Sequence, residues 1–457
     1  MIHMKDLTQG SVIKTILAMA IPVAASMLFQ TLYILIDLYF VSALGEDAIA
    51  GVGTASSLMF LIMALSQVLG VSAVALISQA VGRSDKDAAV LVFNQSLVLS
   101  LVCGGATLIG GYLFGSSFLS GISADQGAFE AGLVFLHWFL PAMAAQFPII
   151  AMASSLRATG IVKPAMLVQI LTVVLNMMLA PILIAGWGPG PALGVLGAAL
   201  ATTISSFIGL LLLIFYFIKL EKYVAFRPEQ WRPRYKLWWK MLDIGLPAGG
   251  EMLLLFVYFS AVYFLIQDFG GAAQAGFSIG GRVMQSIFMP TMAIAFAIGP
   301  IVGQSFGSGN PDRVKETFLK GVLLSAAVML TVTVIMQWNP GIVVGIFTDD
   351  PEVFLIASVF LQIVSWNFIT QGIVFTASGV FQGLGNTRPA LVSSMLRIAI
   401  FVPLAIYVST RPDYRIEHIW TVSVASVVVQ ACFSVWLVRR EFRLRFPANF
   451  KTPRISV

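Results

Sequence analysis

The chain has 457 residues, of which 58% are hydrophobic and 11% charged, with a formal net charge of +6 and a mean hydropathy of +0.91. Soluble domains carry about 25% charged residues, so this composition excludes a water-soluble globular protein. The charges are also unevenly spread: none lies between Asp87 and Asp125, and none between Lys163 and Lys219.

Stretches of roughly 20 apolar residues are the length needed to cross a bilayer. Inside hydrocarbon every backbone amide must find its partner within the protein, which leaves helices or a closed barrel. The runs here are long and lack the alternating, roughly ten-residue pattern of barrel strands, so an all-α polytopic membrane protein is expected. Twelve spans are predicted, at 16–42, 49–78, 90–117, 130–154, 164–186, 194–218, 241–267, 273–305, 318–338, 353–379, 389–409 and 418–438. Residues 1–14 show no apolar stretch ending in a small-residue cleavage site, so the first span itself is expected to act as the insertion signal.

With the N-terminus inside, the inner segments hold 23 of the 27 basic residues, seven of them in 219–240. Arg411 and Arg415 fall outside, and Arg282 and Arg397 lie within spans. The positive-inside rule therefore predicts a cytoplasmic membrane protein with both termini in the cytoplasm. The same rule accounts for the net positive charge without a nucleic-acid partner, for which a basic patch with interleaved aromatics is missing. Cys103 and Cys432 sit in apolar segments and read as small hydrophobes, neither a disulfide nor a metal site.

A shift of 225 residues aligns the two halves: Pro22 with Pro247, Gly45 with Gly270, Gln79 with Gln304, Gly82 with Gly307, Asp125 with Asp350, Gln146 with Gln371 and Gly160 with Gly385. Six spans per repeat give both halves the same orientation, the parallel-repeat, pseudo-twofold arrangement of many transporters. The expected domains are an N-lobe at 1–218, a cytoplasmic linker at 219–240, a C-lobe at 241–440 and a basic tail at 441–457. The linker tryptophans Trp231, Trp238 and Trp239 are expected at headgroup level.

The stretch from Ile21-Pro22 through Asp37 to Gly45, the loops Gln79-Ala-Val-Gly82 and Gln304-Ser-Phe-Gly307, the Arg157-Ala-Thr-Gly160 turn and Gly197-Ala-Ala-Leu-Ala-Thr202 resemble the signatures of the multidrug and toxic compound extrusion (MATE) family. The resemblance runs from about residue 10 to 440. It implies two six-helix lobes, alternating access, and export of amphiphilic organic cations in exchange for H+ or Na+. It also leaves open the related flippases for lipid-linked sugars, which line their cavity with basic residues. The conserved-loop pattern of major facilitator transporters is missing from Gly82-Arg-Ser-Asp85-Lys-Asp87.

Among the acidic residues, Asp37 and Glu251 are embedded at bilayer depth, where a charge is costly and marks function. The resemblance makes Asp37 the coupling carboxyl of the N-lobe. It also places Asn176 where the family has an amide approaching that acid, with Thr202 supplying a further oxygen. Some relatives carry an acid one turn after Asn176; here that position is Ala180, which tilts the reading from Na+ toward H+. Gln30 and Tyr33 precede Asp37 by seven and four residues and share its face, so they are expected to line the N-lobe cavity. Pro22 removes a helical hydrogen bond and permits a kink, and the resemblance makes it a conformational hinge.

Glu251, four residues after Pro247, is a candidate for attracting cationic substrate, with Arg282 as a possible counter-charge. Met284 and Phe288 belong to a Met- and Phe-rich surface of the kind that adapts to varied ligands; ordinary packing is the competing reading. His137 can titrate near neutral pH or simply bond a neighbouring helix. No carboxylate pair, metal cluster or phosphate-cradling Gly-x-x-x-x-Gly-Lys-Ser/Thr motif stands out. The expectation is therefore a non-enzymatic transporter without a cofactor beyond its coupling ion, in contact with membrane lipids and able to work as a monomer.

Overall fold

The computed structural model describes residues 5–123, 125–187, 190–221 and 223–446, and only the backbone of Ile34, Leu35 and Leu38. The expected tail beyond residue 446, with Lys451 and Arg454, lies outside the described residues, as does Lys222 of the linker. Fourteen α-helices follow one another: α1 (Val12–Ser42), α2 (Glu46–Gly82), α3 (Lys86–Ile122), α4 (Gln126–Ala158), α5 (Lys163–Ala185), α6 (Val195–Lys219), α7 (Tyr235–Ile266), α8 (Gly271–Gly307), α9 (Pro311–Trp338), the single turn α10 (Gly341–Val344), α11 (Pro351–Val364), α12 (Asn367–Leu384), α13 (Arg388–Ser409) and α14 (Ile416–Arg445). Among the described residues eleven helices are long and apolar enough to cross a membrane, and there are twelve spans if α11 and α12, bent by 59° at their break, count as one. The protein is thus an all-helical, multi-pass membrane protein.

The repeat is written into the helix starts. α2, α3, α4 and α5 begin at 46, 86, 126 and 163, and α8, α9, α11 and α13 begin 225 residues later in each case. The same local chemistry sets both copies. Asp85 caps α3 by accepting from Ala88 N at 3.0 Å, and its repeat mate Asn310 caps α9 by accepting from Arg313 N at 3.0 Å. Asp125 and Asp350, also mates, cap α4 and α11. Such side chains satisfy amides that the first helical turn leaves open. Gly160 and Gly385 take φ of 79° and 71°, the left-handed cap that glycine adopts without strain.

Small residues bring the helices together, as expected where packing rather than water expulsion drives association. A Cβ on Gly51 would stand 2.5 Å from the Ala128 oxygen, fixing the crossing of α2 and α4. The corresponding crossing of α8 and α12 depends on Gly379 and Gly383, where a Cβ would come within 2.6 Å of a backbone oxygen.

The chain separates into two compact units. Among the described residues, one holds 5–6 with Ala25–Leu246; the other holds Leu7–Ala24 with 247–446. Unlike the expected boundaries in and around 219–240, the division falls inside α1 and α7, beside the mates Pro22 and Pro247.

Span ten differs from the unbroken helix expected at 353–379. It breaks at Ser365 and Trp366, between α11 and α12. No proline causes the break. Side chains from α9 take the freed carbonyls instead: Thr333 Oγ1 donates to Ser365 O at 3.0 Å, and Gln337 Nε2 donates to Gln362 O at 2.6 Å and to Ser365 Oγ at 2.7 Å. Non-helical backbone survives at this depth only when buried in protein with partners of this kind.

Two straps are clamped onto the units. In the first, Asn94 and Gln95 of α3 are fully buried. Asn94 Nδ2 donates to Ala225 O, and its Oδ1 accepts from Arg227 N and Trp231 Nε1, each at 2.9 Å. Gln95 Nε2 donates to Arg232 O at 2.9 Å, and its Oε1 accepts from Arg234 N at 2.9 Å. In the second unit Arg313, 7% exposed, donates to the carbonyls of Leu7, Gln9 and Gly10 at 2.8–2.9 Å. Asn94→Leu with Gln95→Leu is apolar and of similar size, so it should free the first strap while leaving α3 intact. Limited trypsin digestion is expected to cut after Arg234 about tenfold faster than in wild type, because cleavage follows local opening; Arg227 and Arg232 precede prolines and resist the protease.

Candidate functional site

The polar centre of the first unit is assembled by three helices. Gly197 lets α6 approach α5, since a Cβ there would stand 2.2 Å from the Leu183 oxygen. Five residues further along α6, Thr202 reaches Asn176 on α5, whose Nδ2 donates to Thr202 Oγ1 at 3.2 Å. From α1, Tyr33 Oη lies 2.9 Å from the same oxygen. Thr202 Oγ1 donates to Ala198 O at 3.2 Å. With one proton and two lone pairs, the threonine hydroxyl is then saturated: it gives to Ala198 and receives from Asn176 and Tyr33.

Two oxygens beside this hub are left over. Asn176, 3% exposed, has its Oδ1 buried without a hydrogen-bond partner, and so does Asp37 Oδ1. Asp37 follows Tyr33 by one turn on α1 and is near enough to act on the Tyr33 hydroxyl electrostatically. Unpaired buried oxygens are costly. What relieves them is a proton on the carboxyl, which turns an acceptor into a donor, or a hard cation shared by oxygen ligands. Ala180, fully buried, offers no ligand one turn on. Among the described residues no group of three or more His, Cys, Asp or Glu side chains is placed to hold a metal.

The structure thus brings together Tyr33, Asn176 and Thr202, with Asp37 one turn away. Gln30 is exposed on α1, and Pro22 is buried within it. His137 is not part of the hub. Its ring stands 5.6 Å from that of Tyr112, which donates its hydroxyl to the His137 carbonyl at 2.9 Å.

In the second unit Glu251 is held by hydroxyls. Ser378 Oγ donates to Oε2 at 3.1 Å and Ser394 Oγ to Oε1 at 3.5 Å. Gln430 Nε2 donates to Ser394 Oγ at 3.2 Å. Glu251 and Arg282 form no ion pair among the described residues, and Arg282 is exposed on α8. Met284 lies in the unit's hydrophobic core with Phe288 packed against it, and the Phe288 ring meets Phe368 edge-on at 5.4 Å.

Sequence reasoning did not foresee the serine and glutamine cradle of Glu251, nor the Asn94–Gln95 clamp. Adjacent amides in an apolar run were the available signal, since such groups must find partners inside the protein. Serines carry less signal, because they also bond their own helix, as Ser72 does to the Leu69 carbonyl.

Removing the hub hydroxyl by Thr202→Val should destabilise the protein by about 1 kcal/mol, and Tyr33→Phe by less. In denaturant unfolding of the detergent-solubilised protein, the double variant is expected to cost no more than Thr202→Val alone, because both changes remove the same bond.

A family profile described as MatE matches residues 22–182 and 247–407, two stretches of equal length starting at Pro22 and Pro247. The chain is 25% identical over 423 residues to the probable multidrug resistance protein YoeA of Bacillus subtilis (strain 168), covering 90% of each. It is 27% identical over 450 residues to the multidrug export protein MepA of Staphylococcus haemolyticus (strain JCSC1435), covering 94% of this chain and 95% of that one. Among solved structures it resembles one described as the outward-facing conformation of a multidrug resistance MATE family transporter of the MOP superfamily. That match has a TM-score of 0.89 and 25% identity, and covers 96% of this chain and 97% of the other.

Proposed function

Since this chain belongs to the MatE family, we propose that it is a secondary active multidrug exporter that moves amphiphilic organic cations out of the cell in exchange for H+ or Na+. The observation that carries the coupling is the pair of unspent oxygens on Asp37 and Asn176, beside a threonine hydroxyl that has no bond left to give. A carboxyl in that position exists in two forms that its neighbours treat differently. Neutral, it can donate a hydrogen bond; charged, it needs a cation or rearrangement of the helices around it. Binding an ion is then linked to a change of shape, which is the requirement for exchange across a membrane.

H+ is favoured over Na+ by the small number of free oxygens. A hard cation such as Ca2+ takes six or more, Thr202 is already saturated, and Ala180 adds none. Pro22, buried in α1 fifteen residues before Asp37, lacks the amide that would stiffen the helix and supplies the flexible point. Glu251 acts as the negative group that attracts a cationic substrate, with Gln30 and Tyr33 lining the path of the first unit and Met284 and Phe288 offering adaptable apolar contact. The distribution of Lys and Arg supports a cytoplasmic membrane location with both termini inside. The chain is proposed to act as a monomer.

In proteoliposomes an imposed pH gradient should drive movement of a fluorescent organic cation, and a Na+ gradient should drive it less. Asp37→Asn, which cannot change charge, should lower gradient-driven transport about tenfold or more while still binding the dye. No movement under either gradient by folded wild-type protein would overturn the reading and turn attention to flipping of lipid-linked sugars.

A further inference from the structure

The second unit has a cavity of about 390 Å3 where the α7–α8 and α13–α14 connections meet, lined by Phe264, Gln267, Asp268, Phe269, Ser409 and Tyr414. Pockets for small molecules run from roughly 300 to 1,000 Å3, so a compact ligand fits. The chain reaches it by ending α7 at Ile266 and making one 3₁₀ turn, Gln267–Phe269, before α8. Gly270, with φ of 87°, closes that turn in the left-handed region that glycine adopts without strain. Asp268 follows Glu251 by 17 residues, about 25 Å along the chain, so the cavity is separate from the Glu251 cradle.

Its walls are rigid and aromatic. The rings of Phe269 and Tyr414 meet edge-on with centroids 5.0 Å apart, and both pack on the unit's hydrophobic core. Tyr414 Oη donates to Leu265 O at 3.1 Å, which fixes the ring against the end of α7. Burial pushes the Tyr414 phenol up, and the neighbouring Asp268 carboxylate adds to the rise. Asp268 itself is exposed and forms no ion pair among the described residues. Arg411, in the same connection as Tyr414, lies on the Tyr407 ring instead, its Cζ 4.8 Å from the centroid.

Aromatic residues at helix ends commonly serve as a membrane-interface belt, and a loop carboxylate is commonly just hydrated. Here the two converge on one concave surface, and that combination has its own chemistry. An organic cation is attracted to ring faces within about 6 Å, and an unpaired carboxylate adds direct charge attraction. Phe264, 67% exposed, extends the apolar surface beyond the cavity for the rest of an amphiphile. The feature belongs to the second repeat alone, since the mates of Asp268 and Phe269 are Ala43 and Leu44.

We propose that this cavity is an exit-side site for amphiphilic organic cations, with the ammonium held by Asp268 and the rings of Phe269 and Tyr414 and the apolar part along Phe264. With both termini inside, α7 runs outward and the Gln267–Phe269 turn faces the outside, where an exported cation emerges. The exit-side role rests on the export reading above; cation binding in the cavity does not.

The test labels the detergent-solubilised full-length protein with a photoreactive probe carrying a trimethylammonium group, and with its neutral tert-butyl isostere, and maps the adducts by mass spectrometry. The cationic probe should label 264–269 and 409–414 about tenfold more than the isostere, and tetraphenylphosphonium should displace it. Asp268→Asn should lower that labelling about tenfold, as expected when one partner of a close charge pair is removed, and Tyr414→Leu should lower it less. The isostere comparison needs no variant, so the test stands if a variant fails to fold. Equal labelling by the two probes, or cation labelling unchanged in folded Asp268→Asn, would overturn the site while gradient-driven transport in proteoliposomes still reports on export. Displacement by a short-chain phosphatidylcholine but not by tetraphenylphosphonium would make it a lipid-headgroup pocket and overturn it too. Charge-selective labelling in a protein that moves no organic cation under either gradient would overturn the export reading and, with it, the exit-side role.

Discussion

Hydrocarbon offers no hydrogen bonds, and every polar group inside these spans answers to that constraint. Backbone amides are satisfied by the helices themselves. Polar side chains must find one another, and they do so at crossings that small residues make close. Thr202 reaches Asn176 because Gly197 brings α6 against α5, and the break in span ten is tolerated because Thr333 and Gln337 of α9 reach its open carbonyls. The constraint is not met everywhere: Asp37 Oδ1, Asn176 Oδ1 and Arg397 Nε are among the buried atoms without a hydrogen-bond partner, each at a desolvation cost. Buried, unsatisfied groups that carry charge or sit beside it are the natural place to look for function.

The two repeats keep one scaffold and differ in chemistry. Caps at 85 and 310, and at 125 and 350, start matching helices, and Tyr33 and Tyr258 occupy the same repeat position. Around that shared tyrosine the copies diverge. In the first, the phenol joins Thr202 and Asn176 next to Asp37; in the second, it bonds Ser423 and supports a guanidinium. The mate of Asp37 is Val262, and the mate of Glu251 is Ser26. Duplication thus supplied two equivalent frames, and substitution gave each its own charge.

Much of this was legible in advance. Apolar runs located the spans because membrane helices leave a strong, long signal, and the 225-residue offset identified the repeat through its loop glycines, prolines and capping residues. Asp37, Tyr33, Asn176 and Thr202 could be proposed as one group, and the structure joins the last three directly. The partners of Glu251 were harder to see because they come from two helices distant in sequence and are both serines, which hydropathy barely registers. The bend between α11 and α12 left no proline to announce it, and the side chains that satisfy its open carbonyls belong to another helix. Arg397 was visible as a charge within a span, but the Tyr258 ring it lies against comes more than a hundred residues earlier.

The strap at Leu7–Gly10 bears on how the protein is made. Its carbonyls are bound by Arg313, 306 residues downstream of Leu7. At ribosomal speeds of about 5–20 residues per second, the strap waits roughly 15 to 60 seconds for its partner to be synthesised. During that interval α1 enters the membrane without the Arg313 contact, and flanking charges such as Lys5 and Lys14 bias which way it faces. Closure of the strap is therefore a late event in biogenesis, and it joins the segment before α1 to a helix of the second repeat.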